Sequence, residues 1–198
     1  MILLIPGSRG TRNVQIMKRK TSKEILAESF YELSKTRKID KITIKDIAEN
    51  CGYSPATFYR QFRDKYDLIA WAYSEAVSAI MDQVGGEEYT WKETLLDGAR
   101  LFMKEKEYLS NLLLHTSGHD AFIRYMTDVN YKALRKHILK TNDIKELDDR
   151  TDLYIRIYCL GTVNLSCEWI LGKYDAAPEE IAEVYENSVP QPLLEYLK

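Results

Sequence analysis

The apolar positions of this chain recur at helical spacing from Leu26 almost to its end, and the pattern predicts an all-α fold. Leu26, Phe30 and Leu33 stand at i, i+4 and i+7 behind Thr21-Ser-Lys-Glu24, which has the S/T-x-x-E form of a capping box. Ile44, Ile47, Ala48 and Cys51 repeat the period behind Thr43, with Asp46 three residues on to answer its hydroxyl. Gly52 ends that segment, where the chain needs a left-handed residue. A second short helix restarts with Ser54 as N-cap and Pro55 at the first helical position, where a missing N–H costs nothing. Phe58 and Phe62 give it one buried face and leave Ala56, Thr57, Tyr59 and Arg60 on the other.

Further along, Asp64 is placed to cap a long helix reaching about Val84, with Leu68, Ala72, Ala76 and Ala79 or Ile80 on one side and Gly85-Gly86 breaking it. Thr90-Trp-Lys-Glu93 is another capping box and opens a helix ending near Lys104. Leu109, Leu112 and Leu113 mark a short sixth helix. Phe122, Tyr125, Met126, Val129 and Ala133 form an amphipathic stripe between about His119 and Leu139. The stretch Asp149 to Leu171 differs in kind, because Ile157 to Cys167 carries no charge on any face, and a helix apolar all round is expected to be buried all round. Gly161, Thr162 and Ser166 are small enough to admit a partner helix closely. A last helix opens at Pro178, with Glu179 and Glu180 favourably placed against its dipole and Ile181, Val184 and Tyr185 on one face; Pro190 and Pro192 end it.

The segment TIKDIAENCGYSPATFYRQFRDK, residues 43 to 65, therefore reads as a helix-turn-helix. Two small helices about a glycine also occur as packing corners without a ligand. The longer pattern T-x-x-x-I-A-x-x-x-G-Y-S-x-x-T-F-Y-x-x-F-x-x-K-x-x-L resembles the DNA-binding domain of the TetR family of transcriptional regulators, over roughly Thr21 to Val84. The resemblance implies a three-helix DNA-binding domain at 21–65 and a larger helical ligand-binding and dimerisation domain at 66–198. Carried over by position, it implies that Thr43, Tyr59 and Lys65 hold phosphates. Lys45 on the first helix of the motif, and Pro55, Ala56, Thr57 and Arg60 following the Ser54 cap of the second, would face base edges. Lys45 and Arg60 offer donors suited to guanine O6 and N7. The bland alternative for Tyr59 is a ring packed on the small domain. Gln61 departs from the His or Tyr common in the family and puts one phosphate contact in doubt.

Charge agrees with this division. Of 198 residues with a net charge of −2, residues 1–68 hold 14 Lys or Arg against 8 Asp or Glu, and residues 69–198 hold 14 against 22. The positive excess thus accompanies the helix-turn-helix, as expected of the part that meets phosphate. Residues 1–20 carry basic side chains among Pro6, Gly7 and Gly10 without hydrophobic period. They are read as a mobile arm that follows a DNA groove, as a disordered tail, or as sequence ahead of a start at Met17. The length allows a sizeable core without disulfide or metal. Cys51, Cys159 and Cys167 match no zinc or redox spacing and are read as buried thiols in a reducing cytoplasm. MILLIPG is too short for a signal-peptide core, and no segment reaches the roughly 20 apolar residues of a membrane span.

In the resembled family a small molecule enters the larger domain and spoils the spacing of two recognition helices, so that a dimer leaves its inverted-repeat operator. Trp91, Phe102, Met103, Phe122, Tyr125, Met126, Tyr154 and Tyr158 are candidate pocket residues, with plain core as the alternative. Leu153, Ile157, Gly161, Trp169, Ile181, Val184 and Tyr185 are candidate homodimer contacts, although a monomeric core would leave a similar trace. The partners expected are double-stranded DNA, a second copy, and a small-molecule effector or, alternatively, a protein. His115 and His119 superficially resemble a metal pair, but Ser117 and Gly118 between them break the geometry, and no metal or cofactor is expected. No nucleophile has an evident base partner and no glycine-rich phosphate loop is present, so catalysis is not expected.

Overall fold

The computed structural model describes residues 19–83, 89–116 and 119–197. The arm at residues 1–18, the helix end at Val84 with Gly85 and Gly86, and Ser117, Gly118 and the His119 side chain lie outside the described residues. Nine α-helices and no strand occur among the described residues: α1 (Ser22–Ser34), α2 (Ile44–Asn50), α3 (Pro55–Tyr59), α4 (Lys65–Met81), α5 (Trp91–Lys104), α6 (Lys106–His115), α7 (His119–Thr141), α8 (Asp149–Ile170) and α9 (Pro178–Asn187). Single 3-10 turns at Ile39–Lys41 and Gln191–Leu193 complete the trace.

The helix starts follow from local chemistry. Thr21, Thr43 and Thr90 each accept from the backbone N–H three residues on, while Glu24, Asp46 and Glu93 reach back to the cap's own N–H. Each such box satisfies two otherwise orphaned donors and stabilises its helix by about 1 kcal/mol. Ser54 caps α3 through Thr57 N, Asp64 caps α4 through the N–H groups of Tyr66 and Asp67, and Asp148 caps α8 in the same way. Gly52, at φ +73°, lets the chain turn between α2 and α3 where a Cβ would be strained.

Leu26, Phe30, Ile47, Phe58 and Phe62 are almost wholly buried and close a small core among α1, α2 and α3. That core is continuous with the larger one through Leu68, Ile69 and Leu112. In the larger part, α9 packs along α5, and α7 lies between α4 and α8. A second cluster around Ile138, Ile155 and Leu193 fills the end remote from the small core. No described helix is long and apolar enough to cross a membrane.

One sequence expectation fails here. Helix α8 is not buried all round: Leu153, Ile157 and Leu160 are 68%, 63% and 44% exposed, and Gly161 and Asn164 continue the open face. The opposite side, with Ile155, Cys159, Val163 and Cys167, is buried. Lack of charge told that every face is apolar enough to be covered, but in one protomer α7 and the chain terminus cover only part of it.

Candidate nucleic-acid interface

The short helix α3 stands out from the small core with its polar side outward. Ser54, Pro55, Ala56, Tyr59 and Arg60 are exposed, and Thr57 is half-buried. Phe58 on the inner side is fully buried and packs edge-on to Tyr59 at 5.9 Å and against Phe62 at 5.7 Å. Phe62 lies past the last turn of α3 but remains in the core, so the helix is anchored at both ends of a very short span. Tyr59 is 59% exposed as a residue, with its ring resting edge-on against Phe58. The Arg60 guanidinium donates to Thr57 Oγ1 at 3.0 Å, and the Ser54 and Thr57 hydroxyls lie 3.2 Å apart, so these three polar groups form one connected row.

Lys45 projects from α2 with 73% of its side chain exposed, and among the described residues its ion pair is a long, solvated contact of 3.8 Å to Glu49. Such a pair contributes little and yields readily to a stronger anion. Thr43 is also exposed, but its donors are engaged: its N–H reaches Asp46 Oδ2 at 2.9 Å and its hydroxyl reaches the same oxygen at 2.6 Å. These two hydrogen bonds, and then Arg37 at 3.3 Å, hold Asp46 below the usual carboxylate range.

Lys65 is placed differently from the expectation of a phosphate contact. Its ammonium donates to the carbonyls of Ile39, Asp40 and Ile42 at 2.8, 3.2 and 2.9 Å. An ammonium has three donors, and all three point into the 3-10 turn ahead of α2. Lys65 therefore ties the start of α4 to the base of the helix-turn-helix. Arg63, which the sequence reading passed over, extends beside it with 88% of its side chain exposed. Its only signal in the sequence is its place three residues beyond Arg60.

Sequence reasoning also missed the link between the small core and α6. Asn111 accepts from the Ile39 N–H at 3.1 Å and donates to the carbonyls of Ser34 at 2.9 Å and Arg37 at 2.8 Å. One side-chain amide thus replaces helical partners for the loop between α1 and α2. Beside it, the Tyr31 hydroxyl donates to Glu105 Oε2 at 2.6 Å, where α5 passes into α6. A single Asn inside the run YLSNLLLH was the available hint.

Within the larger part, a cavity of about 130 Å³ lies between α4, α5, α7, α8 and α9. Trp91, Phe102 and Tyr158 of the expected pocket set line it, and Met103, Phe122, Tyr125, Met126 and Tyr154 do not. Met126 and Phe122 are buried in the main core, Met103 packs on its margin, Tyr125 donates to Ala70 O at 2.9 Å, and Tyr154 lies under the Arg150 guanidinium. The wall also holds Cys159, whose thiol burial pushes up to about 12. The sequence stripe on α7 faced the core instead because α7 presents Phe122 and Met126 to α4 and α6.

The candidate dimer contacts divide as well. Leu153, Ile157, Gly161 and Val184 are open. Trp169, Ile181 and Tyr185 are 1%, 4% and 7% exposed, enclosed by their own chain. Trp169 Nε1 donates to Ala176 O at 2.9 Å, and the Tyr185 hydroxyl reaches Thr162 O at 3.1 Å. All three belong to the chain's own core: α9 turns Ile181 and Tyr185 toward α5 and α8, and Trp169 on α8 is enclosed beneath the turn that leads into α9.

Residues 31–71 match a family described as bacterial regulatory proteins, tetR family. Residues 89–191, more than half of the chain, match one described as transcriptional regulator C-terminal region. Among solved structures, a dihydroxyacetone kinase operon activator, DhaS, is similar with a TM-score of 0.63 at 16% identity, over 89% of this chain and 96% of that one. A tetR-family transcriptional regulator from Streptomyces coelicolor is similar with a TM-score of 0.55 at 20% identity, over 84% and 78%. No curated protein matches the sequence.

Proposed function

This chain belongs to the TetR family of bacterial transcriptional regulators and so binds DNA, and from that premise we propose that it is a repressor reading an inverted-repeat operator as a homodimer. The observation that carries the reading is the outward row of α3, with Thr57, Tyr59 and Arg60 exposed or half-exposed over a fully packed inner face. A helix entering the major groove needs small or flat side chains near its N-terminus, donors for bases and phosphates around it, and a rigid scaffold behind. Pro55, Ala56 and Thr57 supply the close approach, and Arg60 and Lys45 supply donors for guanine edges. The free Tyr59 hydroxyl and the extended Arg63 serve phosphates. Thr43 and Lys65 act by holding α2 and α4 in place, since their donors are engaged within the chain. The DNA-binding unit is taken as 21–65 and the effector and dimer unit as 66–198.

The open apolar stripe Leu153, Ile157 and Leu160 on α8, with Val184 on α9, supports a two-fold interface between copies. Two copies would place their α3 helices on half-sites about one helical turn apart or somewhat more. A small molecule in the cavity shifts the protein from the DNA-competent state only by binding the other state more tightly. A second reading, activation in place of repression, takes its support from the similarity to an operon activator.

The test is selection of genomic fragments by the purified protein beside Tyr59→Ala, with retained DNA sequenced. Enrichment of one inverted repeat by the parent and its loss in the variant is expected. No enrichment at moderate salt would refute the operator-binding reading.

A further inference from the structure

The cavity between α4, α5, α7, α8 and α9 has a definite chemical character. None of the described residues lining it is Asp, Glu, Lys or Arg. Tyr73, Trp91, Phe102, Tyr158 and Tyr185 give it aromatic walls. Behind those walls His137 is stacked on Trp91 with ring centres 6.5 Å apart and planes 20° from parallel. Burial, and then the Lys140 charge, favour its neutral form. A charged ligand would leave water for a site that offers it no counter-charge.

The wall's hydroxyls are nearly all committed inside the protein. Thr94 donates to Thr90 O at 3.1 Å, Thr162 to Tyr158 O at 2.9 Å, and Tyr158 to Tyr185 O at 3.0 Å. Tyr185 donates to Thr162 O, and Ser166 lies 2.6 Å from the Tyr185 oxygen. Among the described lining residues, the Trp91 indole N–H alone is buried with no acceptor. It leans toward the Tyr158 hydroxyl without completing a hydrogen bond. A buried donor left unpaired is costly and marks a site where an acceptor is missing.

Space completes the description. At about 130 Å³ the cavity is close to the roughly 150 Å³ apolar cavity that admits one benzene ring. Gly98 on α5 is part of the wall, and a Cβ built there would meet nothing within 4 Å. The helix has left out a side chain where the cavity lies.

We propose that this cavity binds a small uncharged ring compound bearing one hydrogen-bond acceptor, with the acceptor on the Trp91 N–H and the ring against the bare backbone of Gly98. The inference rests on the reading of the larger part as an effector domain and adds to it the class of effector. Carboxylates, phosphates and amines are disfavoured by the described wall, and the volume suits a single ring.

The test uses three probes of like shape on the full-length protein, followed by ligand-observed NMR titration: acetophenone, ethylbenzene and benzoate. Acetophenone is expected to bind roughly tenfold more tightly than ethylbenzene, the effect of one added hydrogen bond in an apolar site, and benzoate not to bind. Trp91→Phe keeps the wall apolar and is expected to bring acetophenone down to the level of ethylbenzene while ethylbenzene is unchanged. Gly98→Leu fills the space and is expected to abolish both, with the far-UV spectrum of the parent retained. Equal affinity for acetophenone and ethylbenzene in the parent, benzoate binding as well as either, or Trp91→Phe leaving acetophenone unaffected would overturn the proposal. Failure of all three probes to bind folded parent protein would overturn it as well. Operator binding measured without any probe separates the two readings. Retained operator with no probe bound removes the ligand class and leaves the regulator, and acetophenone bound without any operator does the reverse.

Discussion

Replacing Asn111 by Ala removes three hydrogen bonds at once, all to backbone groups of the loop between α1 and α2. Two are part-buried and one is exposed. At about 1 kcal/mol for each part-buried bond and about half that for the exposed one, the loss is about 2–3 kcal/mol. The Ile39 N–H suffers most, since Ile39 itself is fully buried and a carbonyl can reach water more easily than this amide can. In a chain of this size each kcal/mol moves the melting temperature by about 2–4 °C, so Asn111→Ala should melt roughly 4–12 °C below the parent. The assay is thermal unfolding followed by circular dichroism, with urea unfolding to give the free energy. Asn111→Asp sharpens the test, because it keeps an acceptor for Ile39 N–H but sets a carboxylate against the two carbonyls; it should be at least as unstable as the Ala variant. Operator affinity should fall alongside, because the same loop leads into α2. A variant within about 0.5 kcal/mol of the parent, or an Asp variant as stable as the parent, would refute the clamp.

Tyr59→Ala should abolish operator binding while changing stability by less than about 0.5 kcal/mol, as for an exposed side chain; a comparable loss of melting temperature would point to a folding role instead. Ile157→Asp, which puts a charge on the open stripe of α8, should convert the proposed dimer to monomer in sedimentation velocity without loss of helicity, and an unchanged sedimentation coefficient would count against that interface. His137 prefers its neutral form in the folded state because of burial, and then Lys140. A folded pKa below the ordinary 6.5 means that its contribution is fully present above pH 6.5 and is lost as pH falls below it toward the folded value. His137→Gln should flatten the stability profile in that window, and an unchanged slope in urea titrations from pH 7.5 to 5.5 would contradict it.

The parts legible in the sequence are those decided within a few residues. Thr21, Thr43 and Thr90 start helices where their partner carboxylates three residues on require it, and Gly52 turns where only its backbone is at ease. The outward side of α3 followed too, because Phe58 and Phe62 fix which side points inward. What depended on distant partners was not legible. Phe102 on α5 faces the cavity and Phe122 on α7 does not, and that depends on how each helix is rotated against its neighbours. Lys65 and Asn111 act on carbonyls more than 20 and 70 positions away in the chain, and no local period encodes such a reach. The face of α8 was misread because hydropathy reports what should be covered and not by which molecule.

The Asn111 clamp also orders events in time. Residues that build α1, α2 and α3 can leave the ribosome and close their small core on contacts near in sequence, which form quickly. The loop that aims α2 is completed only when Asn111 emerges, 72 residues after Ile39. At bacterial elongation of about 5–20 residues per second, that interval is on the order of 4–14 s. A nascent chain therefore passes through a period in which it owns α2 and α3 but not the brace that steadies them, and a transcript cut short before α6 yields a product in which that brace is never fitted.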